Sequence, residues 1–426
     1  MILSVIIVNY RVQYFLELCL RSVQNSTQGI ESEIIVIDND SGDDSLAYLR
    51  PLFPSVKFIA SAENTGFARA NNLALKQARG KYILFLNPDT VLPENFVREI
   101  LDFYASAATP RSGSQTPAIG AIGVRMLDGS GQFLKESRRG FPSAWVAFCK
   151  LSGLTAVFPT SRLFSTYYLG YLPAGETHPA PILSGACFWV AREILEKTGG
   201  FDELFFMYAE DIDLSYRIEK AGYINYYLAT PTIIHFKGES TRKDARYVKL
   251  FYKAMSQFRR KHFEQGLSAV FNAAMDLAIW LRAGVRAIGL AVRGTGELRA
   301  AGKIRGTGKD RAAGEIRGTT QAHGTTAIRE AAEAPIATFL AGDPSAITVL
   351  KNSAAFIRNR VLVETPGQAK DLILCEGPTF SFADCIKALE RTEPWRTGQR
   401  VKFYAEGNGS VLGSVHREGR GEVEPL

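Results

Sequence analysis

The sequence predicts an α/β fold built on a doubly wound, mainly parallel sheet. Three observations predict it. Apolar runs without alternation occur at residues 3–8, 33–37 and 82–86, the pattern of strands covered on both faces. Segments with apolar residues at helical spacing separate them, giving a β-α-β-α-β-α-β rhythm. Each run stops at polar, turn-forming residues: Asn9-Tyr10, Asp38-Asn39-Asp40-Ser41-Gly42 and Asn87-Pro88-Asp89. Ligands of open α/β sheets bind outside the carboxyl ends of the strands. Asn9, Asp38 and Asp89 are therefore expected to converge on one crevice.

Taken in order, residues 13–24 place Phe15, Leu16, Leu18, Cys19, Leu20 and Val23 at helical spacing. Residues 45–52 read as helix, 56–59 as a short strand and 67–78 as helix, leading to the strand at 82–86. Residues 105–117, rich in Ala, Ser, Thr and Pro, read as a surface loop. The aromatic-rich stretch 137–175 has no clear periodicity and is placed over the site or on its acceptor side. Residues 182–191, containing SGACFWVA, read as one strand, and 192–198 as a short helix ended by Gly199-Gly200. Residues 201–223 become helical in their second half, 232–235 form a short strand, and 246–262 an amphipathic helix with a basic end.

Four segments follow from this reading. Residues 1–262 form the main domain. Residues 263–292 hold an apolar helix whose uninterrupted apolar run is shorter than the roughly 18–20 residues a membrane span needs. With Arg282 and Arg286 it reads as an interfacial helix rather than a packed or spanning one. Residues 293–335 repeat RGTGELRAAGKI and RGTGKDRAAGEI, too short for a solenoid unit and too glycine-rich for a stable helix, so a flexible linker is expected. Residues 336–426 read as a separate small α/β domain, with its last residues, from Arg417, frayed. Gly342-Asp343-Pro344-Ser345 after a strand suggests a Rossmann-like start, but a full GxGxxG is absent.

Bulk properties narrow the function. The 426 residues are 46% hydrophobic and 11% aromatic, enough for two or three cored units. A net charge of +7 suits a phosphate-bearing substrate or an anionic membrane surface. No RNP, KH or zinc pattern supports nucleic acid as a partner. The five cysteines form no CxxC pair and are odd in number, so reduced, cytosolic thiols are expected. The chain enters its first strand without a basic, signal-like n-region.

Three groups can carry chemistry. A lone acid after a strand, such as Asp89, is usually a turn former; Asp38 on a neighbouring strand and an acidic cluster further on favour a functional role. That cluster is Glu210-Asp211 with Asp213, where acidic charge at a helix N-terminus is the plain explanation. The apolar FFMY before it suggests instead a partly buried carboxylate fit for a general base. His235, in IIHFKGEST, ends a strand, where most histidines are structural.

Seven stretches, SVIIVNY, VIDNDSGDDS, ENTGFARANN, LFLNPDT, SGACFWVARE, GGFDELFFMYAEDIDLSYRI and IIHFKGEST, occur in order over roughly residues 1–262. Together they resemble the inverting family-2 glycosyltransferases of the GT-A fold, in particular the bacterial branch that includes rhamnosyltransferases of cell-surface polysaccharide synthesis. The resemblance implies a mixed doubly wound sheet and transfer of sugar from a nucleotide-diphosphate donor, dTDP-rhamnose or a UDP-sugar, to a saccharide or polyprenyl-linked acceptor. It implies that Asp38 binds the N3–H of a uracil or thymine, and that Asn9, Asn64, Gly66, Asn71 and Asn87 line the nucleotide sugar. Asp89 and His235 would hold Mg2+ or Mn2+; Asp211, beside Glu210, would be the base. The family often has Asp-x-Asp where this chain has Asn87-Pro88-Asp89, which moves the metal-ligand role to Asp89. The implied location is cytoplasmic, at the inner face of the plasma membrane. The alternative is a degenerate GT-A domain that binds a glycan or nucleotide without catalysis.

Overall fold

Burial on both faces is what makes the first strands apolar throughout. β1 (Leu3–Asn9) is buried at every position. β2 (Ser32–Asp38), β3 (Lys57–Ala60) and β4 (Tyr82–Leu86) join it in parallel, in the order β3-β2-β1-β4. The crossovers are α1 (Gln13–Ser26), α2 (Ser45–Leu52) and α3 (Phe67–Leu75). The computed structural model describes residues 1–108, 118–141, 143–237, 245–263, 335–358, 360–392, 394, 399–408, 410–414 and 422–426. The segments expected at 263–292 and 293–335 therefore lie almost wholly outside the described residues, as do 109–117 of the expected surface loop. No described helix is long and apolar enough to cross a membrane.

The chain continues through β5 (Thr90–Val91), α4 (Phe96–Ala108), β6 (Ile119–Leu127), β7 (Arg138–Arg139), α5 (Ala144–Ser152), α6 (Leu154–Val157), β8 (His178–Pro179), β9 (Ile182–Leu183), β10 (Cys187–Ala191), α7 (Arg192–Thr198), α8 (Glu210–Lys220), β11 (Ile224–His235) and α9 (Ala245–Phe263). The sheet extends as β4-β10-β6-β11-β5, with β8 paired to β11, to nine strands. β10 runs antiparallel to β4 and β6, so the sheet is mixed. Alternate side chains feed two apolar layers, one built on Phe53, Phe96 and Trp189, the other on Phe85, Phe188 and Tyr227. All five cysteines are free and buried.

Three elements differ from the sequence reading. Residues 105–108, read as part of a surface loop, are the end of α4. Residues 182–191 are two strands, because Ser184-Gly185-Ala186 leaves the ladder to meet the site. Residues 232–235 are the end of the twelve-residue β11. Pro231 had broken the pattern in the sequence, but it falls in a register shift between Leu228 and Thr232, and the strand continues past it.

A second sheet lies in residues 336–425: β12 (Ile336–Gly342), β13 (Arg360–Leu362), β14 (Asp371–Glu376), β15 (Arg400–Ala405), β16 (Ser410–Ser414) and β17 (Glu422–Pro425). Its order is β13-β12-β14-β15-β16-β17, the first four parallel. Helices α10 (Pro344–Asn352), α11 (Ala354–Ile357) and α12 (Phe382–Thr392) accompany it. Over residues 422–425 the final strand corrects the expectation of a frayed tail; 415–421 lie outside the described residues. Arg360 holds both oxygens of Glu424 at 2.8 and 2.6 Å, and the buried Lys402 ammonium pairs with Glu422 at 2.7 Å. Those partners are distant in sequence, so the tail's own composition could not reveal them.

The two sheets share a core. Phe15, Val91, Ile234 and Phe236 of the first pack with Leu372, Phe382, Leu389 and Phe403 of the second. The Phe236 ring stands edge-on to Phe15 at 5.1 Å and to Phe403 at 5.3 Å. The Glu94 carboxylate accepts from the N–H groups of Phe382 (2.8 Å) and Ala383 (3.0 Å), satisfying the N-terminus of α12 from across the interface. Truncating Phe403 to Ala should destabilise the protein by about 3–5 kcal/mol. Urea unfolding followed by tryptophan fluorescence and by circular dichroism should shift as one transition; two separated transitions would show that the shared core does not couple the sheets.

Candidate functional site

The antiparallel pairing of β11 with the two-residue β5 sets the first half of the site. It places His235 opposite Thr90 and Ile234 opposite Val91, and the Phe236 N–H donates to the Asp89 carbonyl at 2.9 Å. The imidazole Nε2 of His235 then lies 3.4 Å from Asp89 Oδ1 and 3.4 Å from Asn87 Nδ2. Both Asp89 and His235 are buried. A separation of 3.4 Å is long for a hydrogen bond. It suits two ligands on adjacent positions of one octahedral cation, which at 2.0–2.1 Å bonds stand about 3 Å apart. One carboxylate and one imidazole fit Mg2+ or Mn2+, the imidazole favouring Mn2+. No group of three or more His, Cys, Asp or Glu that could hold a metal occurs among the described residues. A cation at Asp89 and His235 would therefore take its other oxygens from substrate and water.

The second part lies at the ends of β1 and β2. Asn9 Nδ2 donates to Asp38 Oδ1 at 2.7 Å and to Ser41 Oγ at 3.1 Å, and the Ser41 hydroxyl donates to Asp38 Oδ1 at 2.5 Å. Among the described residues, Asp38 Oδ2 accepts only the longer 3.3 Å bond from the Ser41 N–H. Next to it Asn39 organises the loop before α3. Its Nδ2 donates to Asn64 Oδ1 at 3.1 Å and its Oδ1 accepts from the Thr65 N–H at 3.0 Å. Gly66 follows at φ 80°, and a Cβ there would stand 2.3 Å from the Phe206 carbonyl. Only glycine lets the 201–209 segment close over this loop. Asn71 is buried and donates to its own helix at Phe67, while its neighbour Asn72 holds both backbone groups of Phe201.

The third part is the start of α8. Tyr208 and Ala209 both have φ near +65 to +69°, a left-handed turn unusual for residues with side chains, and it ends the FFMY run directly before Glu210. Asp211 Oδ2 accepts from the Gly185 N–H at 3.1 Å and forms an ion pair with Arg139, while Oδ1 accepts from the Ile212 N–H at 2.8 Å. The next residue, Ala186, accepts the Asn87 N–H at 2.9 Å. The short turn between β9 and β10 thus ties the Asp211 carboxylate to the Asn87–Asp89 turn. Asp213 faces away from this chemistry. Fully buried, it takes Arg217 at 2.7 Å, Lys261 at 2.7 Å and His262 at 2.6 Å, clamping α9 onto α8.

Burial and the adjacent Asp211 charge push the Glu210 carboxyl up to about 8. The folded state therefore holds a proton that the unfolded chain releases near 4.5. This makes Glu210 a term that lowers stability as pH rises through the window from 4.5 to about 8. Glu210→Gln should remove that decline, seen as a flatter dependence of the unfolding midpoint on pH; an unchanged slope would remove Glu210 from this role.

Four buried polar atoms around these groups have no hydrogen-bond partner among the described residues: Asn9 Oδ1, Arg139 Nε, Glu210 Oε2 and His235 Nδ1. Such atoms are few in folded proteins and concentrate where a ligand binds. Sequence reading had not singled out Asn39, Ser41 or Arg139 as site residues. The polar run after β2 held the first two in plain view. Arg139, 72 positions from Asp211, had no local signal.

The model of the family "Glycosyl transferase family 2" matches residues 4–199. The chain is 30% identical over 258 residues to the N-acetylglucosaminyl-diphospho-decaprenol L-rhamnosyltransferase of Mycobacterium tuberculosis, covering 57% of this chain and 78% of that protein. It is 26% identical over 227 residues to the low-salt glycan biosynthesis hexosyltransferase Agl10 of Haloferax volcanii, covering 51% and 62%. Among solved structures, the mannosyltransferase PcManGT from Pyrobaculum calidifontis in complex with GDP-Man and Mn2+ superposes with a TM-score of 0.42 at 18% identity, covering 71% and 79%.

Proposed function

The chain belongs to glycosyl transferase family 2, and on that premise we propose that it moves a sugar, with inversion, from dTDP-rhamnose or a UDP-sugar to a hydroxyl of a polyprenyl-diphosphate-linked saccharide in cell-surface polysaccharide synthesis, at the cytoplasmic face of the membrane. The relative from Mycobacterium tuberculosis is named for rhamnosyl transfer to a decaprenol-linked sugar, which supports this choice of substrates.

The residues divide the work. Asp38, buffered by Asn9 and Ser41, presents Oδ2 to the N3–H of the base. Asn64 and Gly66 shape the path to the sugar. Asp89 and His235 would hold Mg2+ or Mn2+, which when bound neutralises charge on the departing diphosphate. Asp211 takes the proton of the acceptor hydroxyl as its oxygen attacks the anomeric carbon from the side opposite the diphosphate. One C–O bond forms, the C–O bond to the diphosphate breaks, and the anomeric configuration inverts. Arg139 and the Gly185 N–H orient Asp211 without touching substrate.

The observation that carries this reading is the turn at Gly185–Ala186, which hydrogen-bonds the proposed base and the proposed metal turn at once. The test is a donor screen on the full chain, measuring released dTDP, UDP or GDP with and without Mn2+, with the product's anomeric configuration read by NMR. Metal-dependent release with an inverted product is expected. A retained configuration would overturn the mechanism, and absence of any donor turnover would favour a non-catalytic glycan- or nucleotide-binding module.

A further inference from the structure

We propose that the helical hairpin at residues 143–164 is a membrane-docking surface, which seats the enzyme on an anionic bilayer beside its acceptor site. The proposal rests on the lipid-linked acceptor argued above, and it names where the membrane meets the protein. Trp145, Phe148, Val157, Phe158 and Leu163 are each between 45% and 69% exposed. They belong to one unit. Trp145 stacks near Phe148 at 5.6 Å and Phe164 at 6.1 Å, Phe164 contacts Phe158 at 5.2 Å, and the indole N–H of Trp145 donates to the Leu163 carbonyl at 2.9 Å. The opposite side of the hairpin is anchored by buried Val146, Cys149 and Thr155, so the exposed rings sit on a packed base. Contiguous exposed aromatic surface of this kind marks a binding face.

Charge selects the occupant. Between Glu136 and Glu176 the sequence has no aspartate or glutamate and four basic residues. Arg138 and Arg139 are used internally, on the Leu172 carbonyl and on Asp211. Lys150 and Arg162 remain with the hairpin, their cations over the rings of Tyr168 at 3.8 Å and Tyr171 at 5.6 Å. Bulky apolar side chains beside cations, in a stretch of sequence free of carboxylates, suit an anionic lipid interface. The surface also adjoins the chemistry. The chain runs from the hairpin back through Phe141, which packs on Tyr216 of α8 at 5.0 Å, to Arg139 on Asp211. A lipid-linked acceptor could thus keep its polyprenyl chain in the bilayer while its sugar reaches Asp211.

The test uses the full chain and its Trp145→Ser/Phe148→Ser variant, sedimented with vesicles of phosphatidylcholine alone or with phosphatidylglycerol. Wild type should bind the anionic vesicles, and the variant's partition should fall by about tenfold or more. Arg162→Glu should weaken binding to the anionic vesicles selectively. Both variants should keep wild-type release of nucleotide from the donor in the absence of lipid, and a wild-type unfolding midpoint. Vesicle binding by the aromatic variant equal to wild type, or no vesicle binding by wild type, would overturn the proposal. A dimer that the aromatic substitutions dissolve, without vesicle binding, would assign the face to a second copy and also overturn it. Vesicle binding that depends on these residues in a chain with no donor turnover would sustain the docking surface and reject the catalytic reading instead.

Discussion

Asp89→Ala is expected to lower sugar transfer by about a thousandfold, or about 4 kcal/mol of transition-state stabilisation. The expectation follows from the site's poverty in ligands. Among the described residues, Asp89 is the carboxylate paired with the His235 Nε2, and the two stand 3.4 Å apart. Asn87 reaches the same imidazole through its amide nitrogen, its side chain is neutral and brings a cation no charge, and its backbone N–H is engaged with Ala186. Asn87→Ala should therefore cost far less than Asp89→Ala. Activity titrated with Mn2+ would separate them: Asp89→Ala should fail to saturate, while Asn87→Ala should saturate near the wild-type concentration. Equal losses would refute the ranking. Nucleotide release unaffected by chelation in wild type would remove the metal altogether.

Asp211→Asn should reduce turnover by about a hundredfold to ten-thousandfold, the range for loss of a positioned general base. The substitution keeps the size of the side chain and an oxygen for the Gly185 N–H, so donor binding should remain near wild type. It also leaves Arg139 without its anionic partner. That separates two explanations. If Asp211 only holds Arg139 in place, Arg139→Lys should mimic Asp211→Asn; if Asp211 takes the proton, Arg139→Lys should be milder and should leave the pH–rate limb assigned to the base in place. Donor affinity measured by calorimetry is the check on both. Loss of donor binding in Asp211→Asn would make the residue structural.

The parts of the site that were legible in the sequence are local. A strand buried on both faces has to be apolar at every position, so residues 82–86 announce themselves, and the polar turn that ends them carries Asp89. Asp38 is read in the same way from β2. The roles of these residues, and of Asp211 and His235, came from resemblance, because no periodicity distinguishes a metal ligand from a turn former. Asn71, which the resemblance places along the nucleotide sugar, donates to Phe67 within its own helix. It sits next to the residue that links α3 to Phe201, but its own side chain is turned into the helix. Asp213 shares the acidic cluster, yet Arg217 of α8 and Lys261 and His262 of α9 consume it.

The α/β class, the parallel first half of the sheet and the strand ends around the candidate site were readable along the chain. These follow from the spacing of apolar residues, which neighbours along the chain reveal. Tertiary structure decided what meets across long separations. It set the β5–β11 ladder that brings His235 to Asp89, the Arg139–Asp211 pair, and the core that Phe236 shares with Phe403. It also decided which aromatic residues of 143–164 stay in water. Composition gives an aromatic stretch the same appearance whether it is buried or exposed, and only the packing of Val146 and Cys149 beneath it turns Trp145 and Phe148 outward.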